Sequence, residues 1–410
     1  MLKLTPATPV IKELRSFFPT EMHNNVYVVG GTVRDLLCGV AAKDIDLAVA
    51  LEDEALKTLG FRQVSGKSTV VIWFRNDAQL GNIEVIQLEH RDALAEDLAR
   101  RDFTINAMAI DLEGNLIDPC KGVDDIAARR LRPCFPATIE ADPLRIFRAF
   151  RFSSDNWGFS EDIEAALRSR EWNCYLEKIP VERFSREMLK ALGAEQPERF
   201  FQSMLKYYAG QNYLPELFRM PQVPAGPLKH HPEGDLFSHS IQVLQRAASY
   251  SKDPLLRFCA FFHDIGKLAT ASELYPKHHG HDKAGYKLAI PFCDRLRLPA
   301  SYRNALAWTS RLHTNMNRWD ELRDSKKLKV AEHAIKSGIT RILPIVSAAD
   351  KAQNCLLANW NLYLQVAAMS STELGIDPVK LQFIPNEQRA EYLLQFRLDT
   401  LLRMAKALKY

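Results

Sequence analysis

The chain has 410 residues, enough for two to four domains at roughly 100–200 residues each, and enough to bury real cores without disulfides or metals as staples. It is 47% hydrophobic and 25% charged, the ordinary globular balance. With 54 Lys and Arg against 50 Asp and Glu the formal net charge is +4, which excludes a histone-like polybasic binder and leaves room for a local basic face. The opening MLKLTPATPVIKELRSFF reads as a polar lead into a short amphipathic helix rather than a signal peptide, and no run of 18 apolar residues suggests a membrane span. The seven cysteines (Cys38, Cys120, Cys134, Cys174, Cys259, Cys293 and Cys355) are scattered, odd in number and form no CxxC. Free thiols in a reducing cytoplasm are the expectation.

The first quarter reads as mixed helix and strand. Strands are expected over 25–29, 45–49, 69–74 and 82–88, with a helix over 32–38 ended by Gly39 and hairpin-turn chemistry in NDAQLGN. After about Leu94 the periodicity is almost wholly helical. Pro180, Gly338 and the proline-rich stretch from Pro215 to Pro232 are the clearest punctuation, and that stretch is the best linker candidate.

Chemistry concentrates first in VYVVGGTVRDLLCGVAAKDIDLAVA. Gly30-Gly31 leads from a strand into a helix, so the backbone can approach a phosphate at the helix N-terminus, with Arg34 one turn in. Asp44 and Asp46 alternate along the next strand and share one face, which suits them to hold Mg²⁺ ions; Glu84 is a candidate third carboxylate. This GG-x-VRD and DxD combination resembles the first motif of the polymerase-β-like nucleotidyltransferases, in particular the bacterial tRNA nucleotidyltransferase and poly(A) polymerase family. RRDFTINAMA (100–109) is similar to the family segment that contacts ribose and triphosphate, which implies nucleotide contacts for Arg101, Asp102 and Asn106. DPLRIFRAFRF (142–152) resembles the segment that reads the base edges of ATP and CTP, which implies Asp142, Arg145 and Arg148; Asp142 and Arg145, three apart, are expected on one helix face. Where the family usually has Glu before that Asp, this chain has Ala141. Glu182, Arg183, Arg186 and Glu187 resemble the neck helix, read as structural ion pairs first.

Only Glu89–Ala93 separates the strand IEVIQL from LAEDLARRDF. Complete CCA-adding members of the family carry a longer loop here and members that add only C lack it, so the resemblance implies C addition, with a separate A-adding enzyme acting on the same tRNA.

The helical body carries His239, His263-Asp264, His278, His281 and Asp350. The order H…HD…H…H…D resembles the HD phosphohydrolase superfamily. It implies a metal site for a divalent transition metal or Mg²⁺, with His239, His263, Asp264 and Asp350 as ligands, His278 and His281 as further ligands or phosphate contacts, and Lys267 as a phosphate contact. Arg389, Arg397, Arg403, Lys406 and Lys409 give the tail a mildly basic face, read first as solvated.

The expected fold is α+β. A small polymerase-β-like nucleotidyltransferase head (1–125) is followed by an all-helical neck (126–220), an HD domain (225–355) and a helical tail (356–410). The expected function is addition of 3′ CCA nucleotides, or of the C residues alone, to tRNA from CTP and ATP with release of pyrophosphate. HD phosphodiesterase or phosphatase activity accompanies it, with no membrane partner. Two alternatives are a poly(A) polymerase, which the near-neutral charge and the HD segment oppose, and an HD hydrolase with a non-catalytic RNA-binding head, which the intact DxD and RRD segments oppose.

Overall fold

Strand sequences that alternate apolar and polar residues can bury one face and leave the other free for chemistry, and the first part of the chain is built this way. The computed structural model describes residues 9–41, 44–64, 71–352 and 357–407. The chain divides into two units, Met1–Trp172 and Asn173–Tyr410. In the first, α1 (Pro9–Phe17), β1 (Val26–Val29), α2 (Gly30–Leu37), β2 (Asp44–Val49), α3 (Asp53–Thr58), β3 (Arg62–Val64), β4 (Ile72–Asp77) and β5 (Gly81–Gln87) are followed by α4 (Leu94–Ala99), β6 (Ala109–Asp111) and β7 (Leu116–Ile117). Seven strands form one sheet in the order β3-β4-β5-β2-β1-β6-β7, with β2 and β5 parallel and the other neighbours antiparallel. One face carries Ile45, Leu47, Trp73, Ile83 and Val85 against Ile11 and Leu14 of α1. On the other face, Leu94 and Leu98 of α4 cover Tyr27, Val29, Ala48 and Ala109.

The expected strands and the first helix form, with shifted ends. The helix starts at Gly30, not Thr32. Asp77 Oδ1 accepts from the Gln79 and Leu80 N–H groups (2.9 and 3.2 Å) and shapes the β4–β5 hairpin. Thr69 and Val70 of the expected third strand lie outside the described residues. Beyond Leu94 the chain is almost wholly helical as expected, but β6 and β7 extend the sheet, and the expectation of an all-helical neck is corrected: β8 (Arg130–Leu131) pairs in parallel with β9 (Gly158–Phe159). Strands of two or three residues are too short to show alternation, and Ala107–Ile110, buried throughout, reads simply as an apolar run. The unit continues through α5 (Gly122–Ala127), α6 (Thr138–Ala141), α7 (Arg145–Ser154) and α8 (Glu161–Arg168).

The second unit is helical among its described residues. It comprises α9 (Asn173–Leu176), α10 (Val181–Leu192), α11 (Glu198–Lys206), α12 (Pro215–Arg219), α13 (Leu236–Tyr250), α14 (Pro254–Phe262), α15 (His281–Arg295), α16 (Ala300–Asn317), α17 (Asp324–Lys336), α18 (Ile342–Lys351), α19 (Trp360–Ala368), α20 (Pro378–Phe383) and α21 (Asn386–Ala407). The proline-rich stretch is not a linker: Leu217, Phe218, Met220, Val223 and Ala225 are all buried, so its prolines shape short turns within a packed segment. The tail arginines turn onto the chain itself: Arg389 donates to the Ile384 and Gln382 carbonyls, Arg397 lies 3.5 Å from Glu332, and Arg403 donates to Thr400. Lys409 lies outside the described residues, as does Cys355; the six described cysteines are free. Among the described residues no helix is long and apolar enough to cross a membrane.

Arg257 is 1% exposed and has no carboxylate partner within hydrogen-bonding range among the described residues. Its guanidinium donates instead to the carbonyls of Leu192 and Ala194 at the end of α10, and of Ala248 and Ser251 at the end of α13. Two helix C-termini, each with unpaired carbonyls and partial negative charge, thus share one cation. Arg257→Leu should cost at least about 3 kcal/mol, because it leaves several buried acceptors unsatisfied, and Arg257→Lys should recover only part of it. Chemical denaturation of the two variants measures both.

Candidate functional site

In the first unit the carboxylates sit where β1, β2 and β5 run side by side. Asp44 is exposed and Asp46 half-buried. Asp46 is the register partner of Glu84 on β5, and Asp44 that of Asn82, whose amide donates to Asp44 Oδ1 (3.1 Å). The three expected carboxylates therefore share one sheet face. Burial, and then the negative charge of Glu84, raise the Asp46 pKa; Arg101 pulls against them. Such a site favours an added cation, which is how the residues fit Mg²⁺. Glu84 and Asp44 are the other groups able to hold it.

Thr32 in the first turn of α2 fastens this helix to β2. Its hydroxyl donates to the Asp44 carbonyl (3.1 Å) and accepts from the Asp46 N–H (2.9 Å). Gly30 sits at φ +68°, and a Cβ there would come within 2.8 Å of Arg101 Nη1 and 3.2 Å of Asp46 Oδ2. Glycine is thus required both by the backbone and by the approach of the two side chains.

The other expected nucleotide contacts form one polar chain. Arg34 donates to Asp35 and to Asn106 Oδ1 (2.6 Å), Asn106 donates to Asp102 Oδ1 (3.0 Å), and Arg148 grips Asp102 Oδ2 through Nε and Nη2 (2.7 and 2.6 Å). Arg101 is held by Asp97 (2.9 Å). Asp142 and Arg145 do not share a helix face. Asp142 is extended at the end of α6 and accepts from the Leu144 N–H, whereas Arg145 opens α7 and donates to the Arg100 and Thr138 carbonyls. Pro143 explains the break: it disfavours helical backbone at the residue before it.

The second unit gathers the expected HD residues, and others, around Asp264. His239, on α13, and His263, at the end of α14, place Nε2 3.6 and 3.3 Å from Asp264 Oδ2. Asp350 Oδ1 on α18 lies 3.1 and 3.8 Å from the same two nitrogens. His281 and His313 place Nε2 3.4 and 3.2 Å from the other oxygen, Oδ1. In each ring Nδ1–H donates away from the centre: His239 to Glu233 (2.7 Å), His263 to the Ala260 carbonyl, His281 to the His278 carbonyl and His313 to the Ser310 carbonyl. Every Nε2 is therefore left facing inward. His239 Nε2, His263 Nε2 and Asp264 Oδ1 are buried and satisfy no hydrogen bond, as donors aimed at a cation would be. Among the described residues, three trios bring ligand atoms within 4.8 Å of one another: His231–Glu233–His239, His239–His263–Asp264 and Asp264–His281–His313.

Burial acts to lower the His263 pKa, but Asp264 and Asp350 outweigh it and raise it to about 10. The same carboxylates are held well below the usual range despite burial, Asp264 by Lys267 and His263, and Asp350 by His239 and His263. Lys267 Nζ lies 2.6 Å from Asp264 Oδ2 and donates to the Ala225 carbonyl. His278 stands apart, its ring nitrogens paired with Thr270 Oγ1 and the Pro224 carbonyl, so it is not brought into the ligand set. His313, Glu233 and His231 were not anticipated; their only sequence signals were a histidine on a helix of mixed polarity and the short HPEG segment.

These two sites define a nucleotidyltransferase head joined to an HD-type metal site. Family models agree: a poly(A) polymerase head domain matches residues 26–90 and 64–132, the model described as a "probable RNA and SrmB-binding site of polymerase A" matches 159–220, and an HD domain matches 236–355. The chain belongs to the family of the multifunctional CCA proteins. It is 37% identical over 325 residues to the one from Legionella pneumophila strain Paris, covering 75% of this chain and 78% of the relative, and 37% identical over 323 residues to that of Thioalkalivibrio sulfidiphilus, with the same coverage. Solved structures share the fold: a Bacillus stearothermophilus CCA-adding enzyme in complex with CTP (TM-score 0.63, 23% identity, 94% of this chain and 88% of that one) and a Thermotoga maritima CCA-adding enzyme complexed with tRNA (TM-score 0.61, 20% identity, 98% and 95%).

Two outcomes test the sites. Burial acts to raise the Asp102 pKa, but Arg148, Asn106 and the Phe103 N–H outweigh it and lower it to about 2. A carboxylate depressed from about 3.9 contributes about 2–3 kcal/mol of stability above pH 4, and loses it as pH falls toward 2. The stability gap between the wild type and Asp102→Asn should thus be wide at pH 7 and shrink below pH 4 in denaturation series. At the second site, Mn²⁺ at 100 times its Kd should stabilise the wild type by about 2.7 kcal/mol and chelator should reverse this; Asp264→Asn should show no such rise in melting temperature.

Proposed function

We propose that the first unit builds the 3′ CCA end of tRNA from CTP and ATP without a template. The carrying observation is the row of carboxylates beside the glycine turn and Arg101. The tRNA 3′-hydroxyl attacks the α-phosphorus: a 3′-O–P bond forms, the P–O bond to pyrophosphate breaks, and the hydroxyl proton passes to solvent. Asp44 and Asp46, with Glu84 adjacent, would hold Mg²⁺, which when bound would supply activation of the hydroxyl and charge neutralisation. Arg34 and Arg101 receive the triphosphate, and the glycine turn, which keeps any side chain out of the cradle, lets it approach, so the leaving pyrophosphate is oriented by the end of β1. Asp102 and Asn106 brace Arg34 and Arg148 from behind, and Asp142 with Arg145 meets the base edge. In this reading 1–125 is the transferase head, 126–220 supplies base and RNA contacts, 225–355 is the hydrolase and 356–410 the tail, all working in the cytoplasm.

The second unit hydrolyses phosphate esters, and the 2′,3′-cyclic phosphates that block RNA ends are its fitting substrates. His239, His263, Asp264, His281, His313 and Asp350 would hold a divalent metal, which when bound would supply activation of the attacking water. The two oxygens of Asp264 face two separate pairs of imidazoles, His239 with His263 and His281 with His313. Lys267 neutralises Asp264 and meets the substrate phosphate. His278 shapes the loop that carries His281.

One specific observation favours a narrower transfer reaction. β5 and α4 are joined by only Leu88–Ala93, half of it a single 3-10 turn. In that reading only C is added, and a separate A-adding enzyme finishes the tRNA. A tRNA ending before CCA, incubated with CTP, ATP or both, decides: three added residues with both nucleotides give complete addition, two give the narrower reaction, and runs of A alone overturn both. Asp46→Asn should lower transfer on the order of 100- to 1000-fold. His263→Ala should abolish cyclic-phosphate hydrolysis and leave transfer intact.

A further inference from the structure

Among the described residues, the sheet face that carries the carboxylates is only half covered. α4 lies over Tyr27, Val29, Ala48 and Ala109, on the β1–β6 side. On the other side Glu84, Asn82, Phe74 and Asn76 are exposed. Register makes this open half a continuation of the site. Asp46 pairs with Glu84, Glu84 with Phe74, and Phe74 with Arg62, so the four side chains form one row on one face. The neighbouring row runs Asp44–Asn82–Asn76, tied by amide hydrogen bonds of 3.1 and 2.8 Å. Phe74 is 39% exposed and packs on no other ring among the described residues. A large aromatic facing water in the middle of an otherwise polar row is a poor choice for stability alone, since a β-branched or polar residue would fit the strand as well.

Resting on the transferase reading above, we propose that Phe74 is the stacking platform for the 3′-terminal base of the acceptor RNA, with Arg62 beside it for the backbone phosphate. In-line displacement fixes the sides. The pyrophosphate leaves toward Gly30, Gly31 and Arg101, at the end of β1, so the attacking hydroxyl enters from the opposite side of the α-phosphorus. Across the sheet from the cradle the order is β1, β2, β5, β4, which places Asp46, Glu84 and Phe74 in succession along that approach. Two strand spacings, about 10 Å, separate Asp46 from Phe74, the reach of one nucleotide whose 3′-hydroxyl meets the carboxylate-bound cation. Arg62 beyond Phe74 complements the acceptor's phosphate charge. Stacking on a flat ring is indifferent to base identity, and this suits an acceptor whose terminal base changes with every addition.

The test uses the full chain and a tRNA lacking CCA, with 2-aminopurine as its terminal base. Fluorescence should quench on binding to the wild type, stay unquenched with Phe74→Ala and quench again with Phe74→Tyr. Phe74→Ala should raise the acceptor KM about tenfold, the order of one base–aromatic stack, and leave the CTP KM unchanged. An acceptor with an abasic terminal nucleotide should lose the same factor on the wild type and nothing more on the variant. Equal quenching by Phe74→Ala, an unchanged acceptor KM, or losses that multiply between abasic acceptor and variant would overturn the assignment. Should the wild type extend no acceptor at all, the transferase reading falls, and the fluorescence alone then upholds or overturns the stacking.

Discussion

A carboxylate withdrawn from water must be met by positive charge, and both units of this chain are arranged around that demand. In the first, Asp46 is half-buried next to Glu84, and the guanidinium of Arg101 comes near without pairing with it, being held by Asp97. In the second, Asp264 is fully enclosed and is answered by four imidazoles and one ammonium. The first centre is an open, one-sided row of carboxylates, and the second a closed shell of imidazoles around a single carboxylate.

Neither centre stands on its direct contacts alone. The imidazoles of the second site are aimed by what their far nitrogens touch, three backbone carbonyls and Glu233. Asp350 is fixed by the Asn317 amide, which is itself oriented by Ser347. In the first unit the run Asp35–Arg34–Asn106–Asp102–Arg148 holds two arginines at set positions through hydrogen bonds from groups that are themselves engaged. Charge-assisted bonds of this kind give direction as well as energy.

What the sequence revealed follows from how far each signal reaches. The carboxylates of Asp44 and Asp46 were legible because a strand's two-residue period fixes their relation locally, and His263-Asp264 because the residues are adjacent. Their partnership with Glu84 needed the pairing of β2 with β5, and the sequence could only suggest it. His313 and Glu233 were invisible because their relation to Asp264 is set by the packing of α14 against α16 and by a loop preceding α13. Asp142 and Arg145 were misplaced for a local reason: their spacing is helical, but Pro143 breaks the backbone between them. β6 and β7 were missed because a sheet recruits short buried segments that carry no pattern of their own.

The reciprocal bond through Thr32 has a mechanical consequence. One hydroxyl joins the first turn of α2 to the backbone on either side of Ile45. The glycine turn that opens α2 and the strand that carries the carboxylates are thereby a single jaw. Exchange of one nucleotide for the next cannot work by opening this jaw without breaking both bonds at once. In the transferase reading proposed above, the width of the phosphate cradle on this side is therefore set by one threonine rather than by whichever nucleotide fills it.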